Sequence, residues 1–154
     1  MTDKINSVQT AQDNLIQVII ANTSSAIKIS KILLEHSSGD GDKIMKADEI
    51  ICGLIYRLMI PMNDQEIKDS MSEAESIMYD TSSEEDNQDN EEIIDDLDDF
   101  KSKTKVKTNT CNCGICHKVR VCLINFNDYV PKDELGDKFK SSIIETCKTY
   151  NKII

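Results

Sequence analysis

The chain has no tryptophan, only two prolines and two histidines, and five glycines among its 154 residues. Aromatic side chains make up 5%. With so few rings, the core has to be built from Ile, Leu and Met, and it cannot be a large one. The two histidines, His36 and His117, provide no helical H-E-x-x-H, and no Ser-His-Asp set or phosphate loop can be traced. Groups poised for acid–base work are missing, so the expectation is a protein that is not an enzyme. No run of about 20 apolar residues occurs, so no membrane span is expected. Residues 1–14 lack the basic and apolar regions of a signal peptide, which points to a reducing, cytoplasmic setting.

Acid is plentiful but unevenly placed. The net charge is −10. Residues 1–79 contribute −5, residues 80–100 contribute −11 with no basic residue, and residues 101–154 contribute +6. This balance argues against simple nucleic-acid binding by the whole chain, which is acidic in its middle and basic at its end.

Cysteine is the other abundance, with six residues. Three fall in Cys111-Asn-Cys-Gly-Ile-Cys116. Zn²⁺ prefers tetrahedral thiolate and imidazole ligands, and Cys113 and Cys116 have the C-x₂-C spacing of a zinc knuckle. Gly114 suits a turn with φ > 0. Cys111 adds a third thiolate. The fourth ligand is expected to be Cys147, with Cys122 and His117 as alternatives. In a reducing compartment, cysteines set this close bind metal more often than they form disulfides, so structural Zn²⁺ is the expected cofactor. Free thiols and thiol redox chemistry are the rivals. His36, at a helix end beside Ser37, reads as a capping or solvent-exposed residue.

Residues 1–79 read as a helical hairpin or three-helix bundle. Val8, Ala11, Leu15, Val18, Ile29 and Ile32 recur at three- and four-residue spacing. Asn22-Thr-Ser-Ser25 predicts a bend or break in that helix. Ser37-Ser-Gly-Asp-Gly-Asp42 stops it, with Gly39 available as a cap. A second helix is predicted over 44–60, with Ile44, Ala47, Ile51, Leu54, Ile55 and Leu58 facing inward, and Pro61 ending it. Asn63 and Glu66 predict a capping box for a third helix over 64–79. Cys52 reads as an inert core thiol.

Residues 80–108 read as a linker, first acidic and disordered, then lysine-rich. Within it, Ile93, Leu97 and Phe100 recur at helical spacing, a pattern that folds on a protein partner. Thr81, Ser82 and Ser83 precede acids in the manner of acid-directed kinase sites. Lys101, Lys103, Lys105 and Lys107 alternate along one face of an extended chain, where they can meet phosphate or blunt a sheet edge.

Residues 109–154 read as a small cysteine module. Val119 to Phe126 is β-branched and predicts a strand. Asn127 to Pro131 predicts a turn. Leu135, Phe139, Ile143, Cys147 and Tyr150 predict a closing helix. A unit this short needs a metal, disulfides or docking on another domain. The expected fold class is α+β, mainly α: the helical module, the linker, and a zinc-knuckle-like strand plus helix.

Cys111, Cys113 and Cys116, followed by Tyr129 and Pro131 and a closing amphipathic helix, give the segment 111–147 a likeness to known sequences. It resembles small proteins of nucleocytoplasmic large DNA viruses, of the mimivirus and iridovirus kind. That resemblance implies infected-cell cytoplasm or the virion, and it carries no activity with it. The functional expectation is a zinc-stabilised interaction or regulatory protein that assembles a protein or nucleoprotein complex. The alternatives are a nucleic-acid-binding transcription or packaging factor gated by the acidic tract, and a thiol redox protein.

Overall fold

The computed structural model describes residues 2–37, 44–79 and 102–154, with side chains from Val8 onward. The chain is mainly helical. Among the described residues there are five α-helices: α1 (Thr2–Glu35), α2 (Ala47–Met59), α3 (Asp64–Tyr79), α4 (Gly114–Asn125) and α5 (Glu134–Thr149). Two short strands, β1 (Thr104–Lys105) and β2 (Lys152–Ile153), pair in parallel. The acidic tract, with Ile93, Leu97, Phe100 and Thr81 to Ser83, lies outside the described residues, as do Gly39 and Lys101.

The helix boundaries follow local chemistry. α1 does not break at Asn22 to Ser25, and two of these polar side chains bond back to carbonyls of the preceding turn. Asn22 Nδ2 donates to the Val18 carbonyl at 2.9 Å, and Thr23 Oγ1 to that of Ile19 at 2.9 Å. Back-bonding of this kind satisfies the side chain without taking the backbone out of the helix, so a polar run is compatible with a continuous α1. α2 starts at Ala47 and stops before Pro61. The predicted capping box opens α3, with Glu66 N–H donating to Asn63 Oδ1 at 2.8 Å and Asn63 N–H to Glu66 Oε1 at 3.2 Å. Asp133 caps α5 by accepting from Gly136 N–H at 2.7 Å.

The chain forms two compact units. One holds Met1–Ser25 and Met62–Asp89. Here α3 meets the first part of α1: Gln17 Nε2 donates to the Met71 carbonyl at 2.8 Å and Ser24 Oγ to Glu73 at 3.3 Å. Its buried positions are small residues, Ala21, Ser25, Ser70 and Ala74.

The other unit holds Ala26–Pro61 and Asn90–Ile154. Its core joins Ile29 and Leu33 of α1, Ile51, Cys52 and Ile55 of α2, Val119 and Cys122 of α4, Phe126, and Ile143 and Cys147 of α5. α2 lies against both α4 and α5, so the cysteine-rich segment docks on a helix from the first half of the chain. α1 and α2 approach closely where Gly53 faces Ser30 and the Ala26 carbonyl. Tyr129 reaches the Leu58 carbonyl at 3.5 Å.

The segment expected as a strand, Val119 to Phe126, is helical up to Asn125 and continues into a 3-10 turn at Phe126–Asp128. Burial explains the difference. Cys116, Val119, Cys122 and Phe126 are buried at three- and four-residue spacing, while Ile124 is 78% exposed. That is a helical period, and tertiary burial overrides the β-branched composition. The lysine segment supplies β1 instead. Lys103, Lys105 and Lys107 are exposed while Val106 is buried. Its pairing with β2 is anchored to α2: Asp48 accepts from Lys152 Nζ at 2.9 Å and from Lys107 N–H at 3.4 Å.

Candidate metal centre

Cys113 sits at the N-cap of α4, and its sulfur accepts from the Cys116 backbone N–H at 3.4 Å. The Cys113 N–H in turn points at Cys111 Sγ, also at 3.4 Å. The C-x-C-x₂-C run therefore folds its three sulfurs around the first turn of a helix. Gly114 is the first residue of that helix and does not adopt the left-handed φ expected of it. The helix turn itself brings the two sulfurs together, so no special backbone is needed.

The fourth donor comes from the far end of α1. His36 follows the last residue of that helix, and its N–H still bonds the Ile32 carbonyl at 3.0 Å. Its Nδ1 lies 3.3 Å from Cys113 Sγ, 3.4 Å from Cys111 Sγ and 3.5 Å from Cys116 Sγ. The four donor atoms all lie within 4.8 Å of one another. A tetrahedral ion with Zn–N of about 2.05 Å and Zn–S of about 2.3 Å would hold N and S about 3.6 Å apart. The observed spacings match that within a few tenths of an ångström, so the cluster can hold one metal ion.

Electrostatics favour a cation there. The N–H of Cys116 pulls the Cys113 thiol down to about 6. Burial pushes the Cys116 thiol up to about 11. Cys116 is 1% exposed. A bound divalent ion supplies the positive charge that lets such a buried sulfur ionise. The partial positive charge of the α4 N-terminus acts in the same direction on Cys113.

Of the predicted ligands, Cys111, Cys113 and Cys116 are brought together, and Cys147, Cys122 and His117 are not. Cys147 and Cys122 are buried in the core, and burial raises both thiols. The helical form of residues 114–125 explains Cys122. It lies six residues beyond Cys116, well over a turn away, where a strand turning early would have carried it back. Cys147 shares the inward stripe of α5 with Ile143 and belongs to the same apolar core as Cys52, and it is not among the converging donors. His117 is exposed. His36, read from the sequence as capping or solvent-exposed, is the donor that reasoning missed. No local signal pointed to it, because His36 and Cys111 are 75 residues apart in the chain and only the fold brings them together. Lys103, Lys105 and Lys107 present their side chains to solvent.

No family model, curated protein or solved structure matches this chain. Among the described residues, no helix is long and apolar enough to cross a membrane.

Proposed function

We propose that this chain is a zinc-stabilised, non-enzymatic protein that assembles a protein or nucleoprotein complex. The observation that carries the proposal is the convergence of His36 with Cys111, Cys113 and Cys116. Three thiolates and an imidazole, with no carboxylate among them, suit zinc better than hard cations such as Mg²⁺ or Ca²⁺. Protein atoms would fill all four tetrahedral positions of such an ion, as in structural sites, whereas a catalytic zinc keeps one position open. The ion would cross-link two parts of the chain 75 residues apart, Cys111 and His36. Exposed Val8, Leu15, Ile16 and Ile19 on α1 support an interaction role, since apolar surface of this kind marks contacts with other proteins. On the resemblance carried by Cys111, Cys113, Cys116, Tyr129 and Pro131, the proposed setting is infected-cell cytoplasm or the virion.

Elemental analysis of protein purified under reducing conditions tests the zinc. One zinc per chain is expected in the wild type, lost in Cys113→Ser together with order in the C-terminal helices. Absence of metal in the wild type would sink the proposal.

The exposed Lys103, Lys105 and Lys107 favour a second reading, in which the basic end contacts nucleic-acid phosphate. Deleting residues 80–100 should then tighten binding to duplex DNA or RNA, with a steep salt dependence. A deletion that leaves both affinities undetectable removes this reading.

A further inference from the structure

One side chain outside the ligand set touches both arms of the centre. Asn109 Nδ2 donates to the Leu33 carbonyl at 3.0 Å and to Cys116 Sγ at 3.3 Å. Its Oδ1 accepts from Cys111 N–H at 3.3 Å and from Arg120 Nη1 at 3.4 Å. The orientation of this amide is dictated by its neighbours. A carbonyl can only accept, while a backbone N–H and a guanidinium can only donate. Flipping the amide would put donor against donor and acceptor against acceptor. Both of its N–H groups and both acceptor positions of its oxygen are thus in use, and the Cys116 sulfur has to be an acceptor.

The Leu33 carbonyl is one of the last four of α1, which a helix leaves without an internal partner. Its neighbours are satisfied within the turn: His36 N–H bonds Ile32, and Ser37 bonds Leu34 through N–H and Oγ. The Leu33 carbonyl instead reaches across to residue 109. Leu33 and His36 are three residues apart and share a helix face. The same amide that holds Cys116 therefore also holds the turn that carries the imidazole. Arg120 pins the hub from α4, donating to the Asn109 carbonyl at 3.0 Å as well.

Resting on the metal reading above, we infer that Asn109 is a positioning residue of the metal centre, fixing the Cys116 sulfur and the His36 turn relative to each other through one amide. It does not touch the ion. Its N–H supports the thiolate form of Cys116, and its bond to Leu33 sets the distance at which Nδ1 faces the sulfurs. Outer contacts of this kind are worth about 10- to 100-fold in metal affinity.

The test uses the full chain, with Co²⁺ as a spectroscopic probe and Zn²⁺ in competition. Asn109→Asp keeps the size and the acceptor for Cys111 and Arg120, but turns the donor into an oxygen facing Cys116 and Leu33. Its metal affinity should fall about 10- to 100-fold. The thiolate-to-cobalt charge-transfer band should shift, and helical content at saturating metal should match wild type. Asn112→Asp adds the same charge at an exposed neighbour and should leave the band where it is. Wild-type affinity and an unmoved band in Asn109→Asp would overturn the inference. If that variant does not fold at saturating metal, Asn109→Ser is judged by the same two readouts. A wild-type chain that takes up neither ion would overturn the metal reading itself, which the wild-type arm shows separately from the variants.

Discussion

At the residue scale, chemistry alone did not identify the four converging donors. Cys147 and Cys113 are both thiols, yet one sits in a core and the other at a helix N-cap. Spacing made Cys111, Cys113 and Cys116 legible, because a short C-x-C-x₂-C run has few ways to arrange its sulfurs. His36 was not legible, because only the fold closes the gap between it and Cys111. His36→Ala should therefore weaken zinc binding by more than the roughly 100-fold of an outer-contact loss. Cys147→Ser should keep one zinc per chain and cost about 1–3 kcal/mol of stability, since a hydroxyl replaces a buried thiol. Zinc titration and thermal melts of the two variants separate these outcomes. The thiols also differ in reactivity. In metal-free protein at pH 7.5, Cys113, with its thiol near 6, is ionised and should react first with a disulfide reagent. Burial and then the charge of Asp48 push Cys52 to about 12. Its folded value lies above the unfolded one of 9.0. The stability it contributes is complete below pH 9 and declines as pH rises toward 12. Mass spectrometry of labelled peptides should find Cys113 modified early and Cys52 only on unfolding.

At the element scale, α4 shows why composition misled. Val119, Val121, Leu123 and Ile124 favour a strand when counted one by one. Their burial follows a three- and four-residue rhythm, and the neighbours needed to see it come from α2 and α5. α3 was legible down to its capping box because that signal is local. The helical assignment makes a paired prediction. Ile124→Lys should change stability by no more than about 0.5 kcal/mol, as for other exposed sites. Val119→Lys buries a charge among Phe126, Ile143 and Cys122, and should unfold this unit. A strand with odd residues inward would also lose Val119, but it would bury Val121 and Leu123 on that face. Val121→Lys, tolerated in the helix, discriminates by circular dichroism. The crossing of α1 and α2 gives a second test. Ala is worth about 1 kcal/mol over Gly inside a helix. At Gly53, however, a methyl would meet Ser30 Oγ and the Ala26 carbonyl oxygen, and that backbone atom cannot swing away. Overpacking at about 1–3 kcal/mol outweighs the propensity gain. Gly53→Ala should therefore lower the melting temperature, and a rise would show that the crossing has room for a methyl group.

At the scale of the whole molecule, a metal bound at the His36 cluster would address the same deficit as the helix docking. A segment of about 46 residues buries too little to hold itself. Here it packs on α2, is latched by Asp48 to Lys152, and under the zinc proposal is cross-linked to α1 through His36. The sequence suggested that such a segment needs help, but not which help, since that depends on contacts between residues far apart in the chain. The two contributions respond differently to conditions. Packing is insensitive to chelators, whereas a bound ion stabilises in proportion to the logarithm of its free concentration over its dissociation constant. At free zinc 1,000 times that constant, the gain is about 4 kcal/mol. For a chain of this size, each kcal/mol moves the melting temperature by about 2–4 °C. Chelation should then lower the melt by about 8–16 °C. The helices docked by apolar contact should stay partly formed below that new midpoint. The shift should also grow with added zinc, and shrink sharply in His36→Ala. A melt that chelator leaves in place would mean that packing alone holds the cysteine-rich segment, and that the four donors converge without an ion to hold.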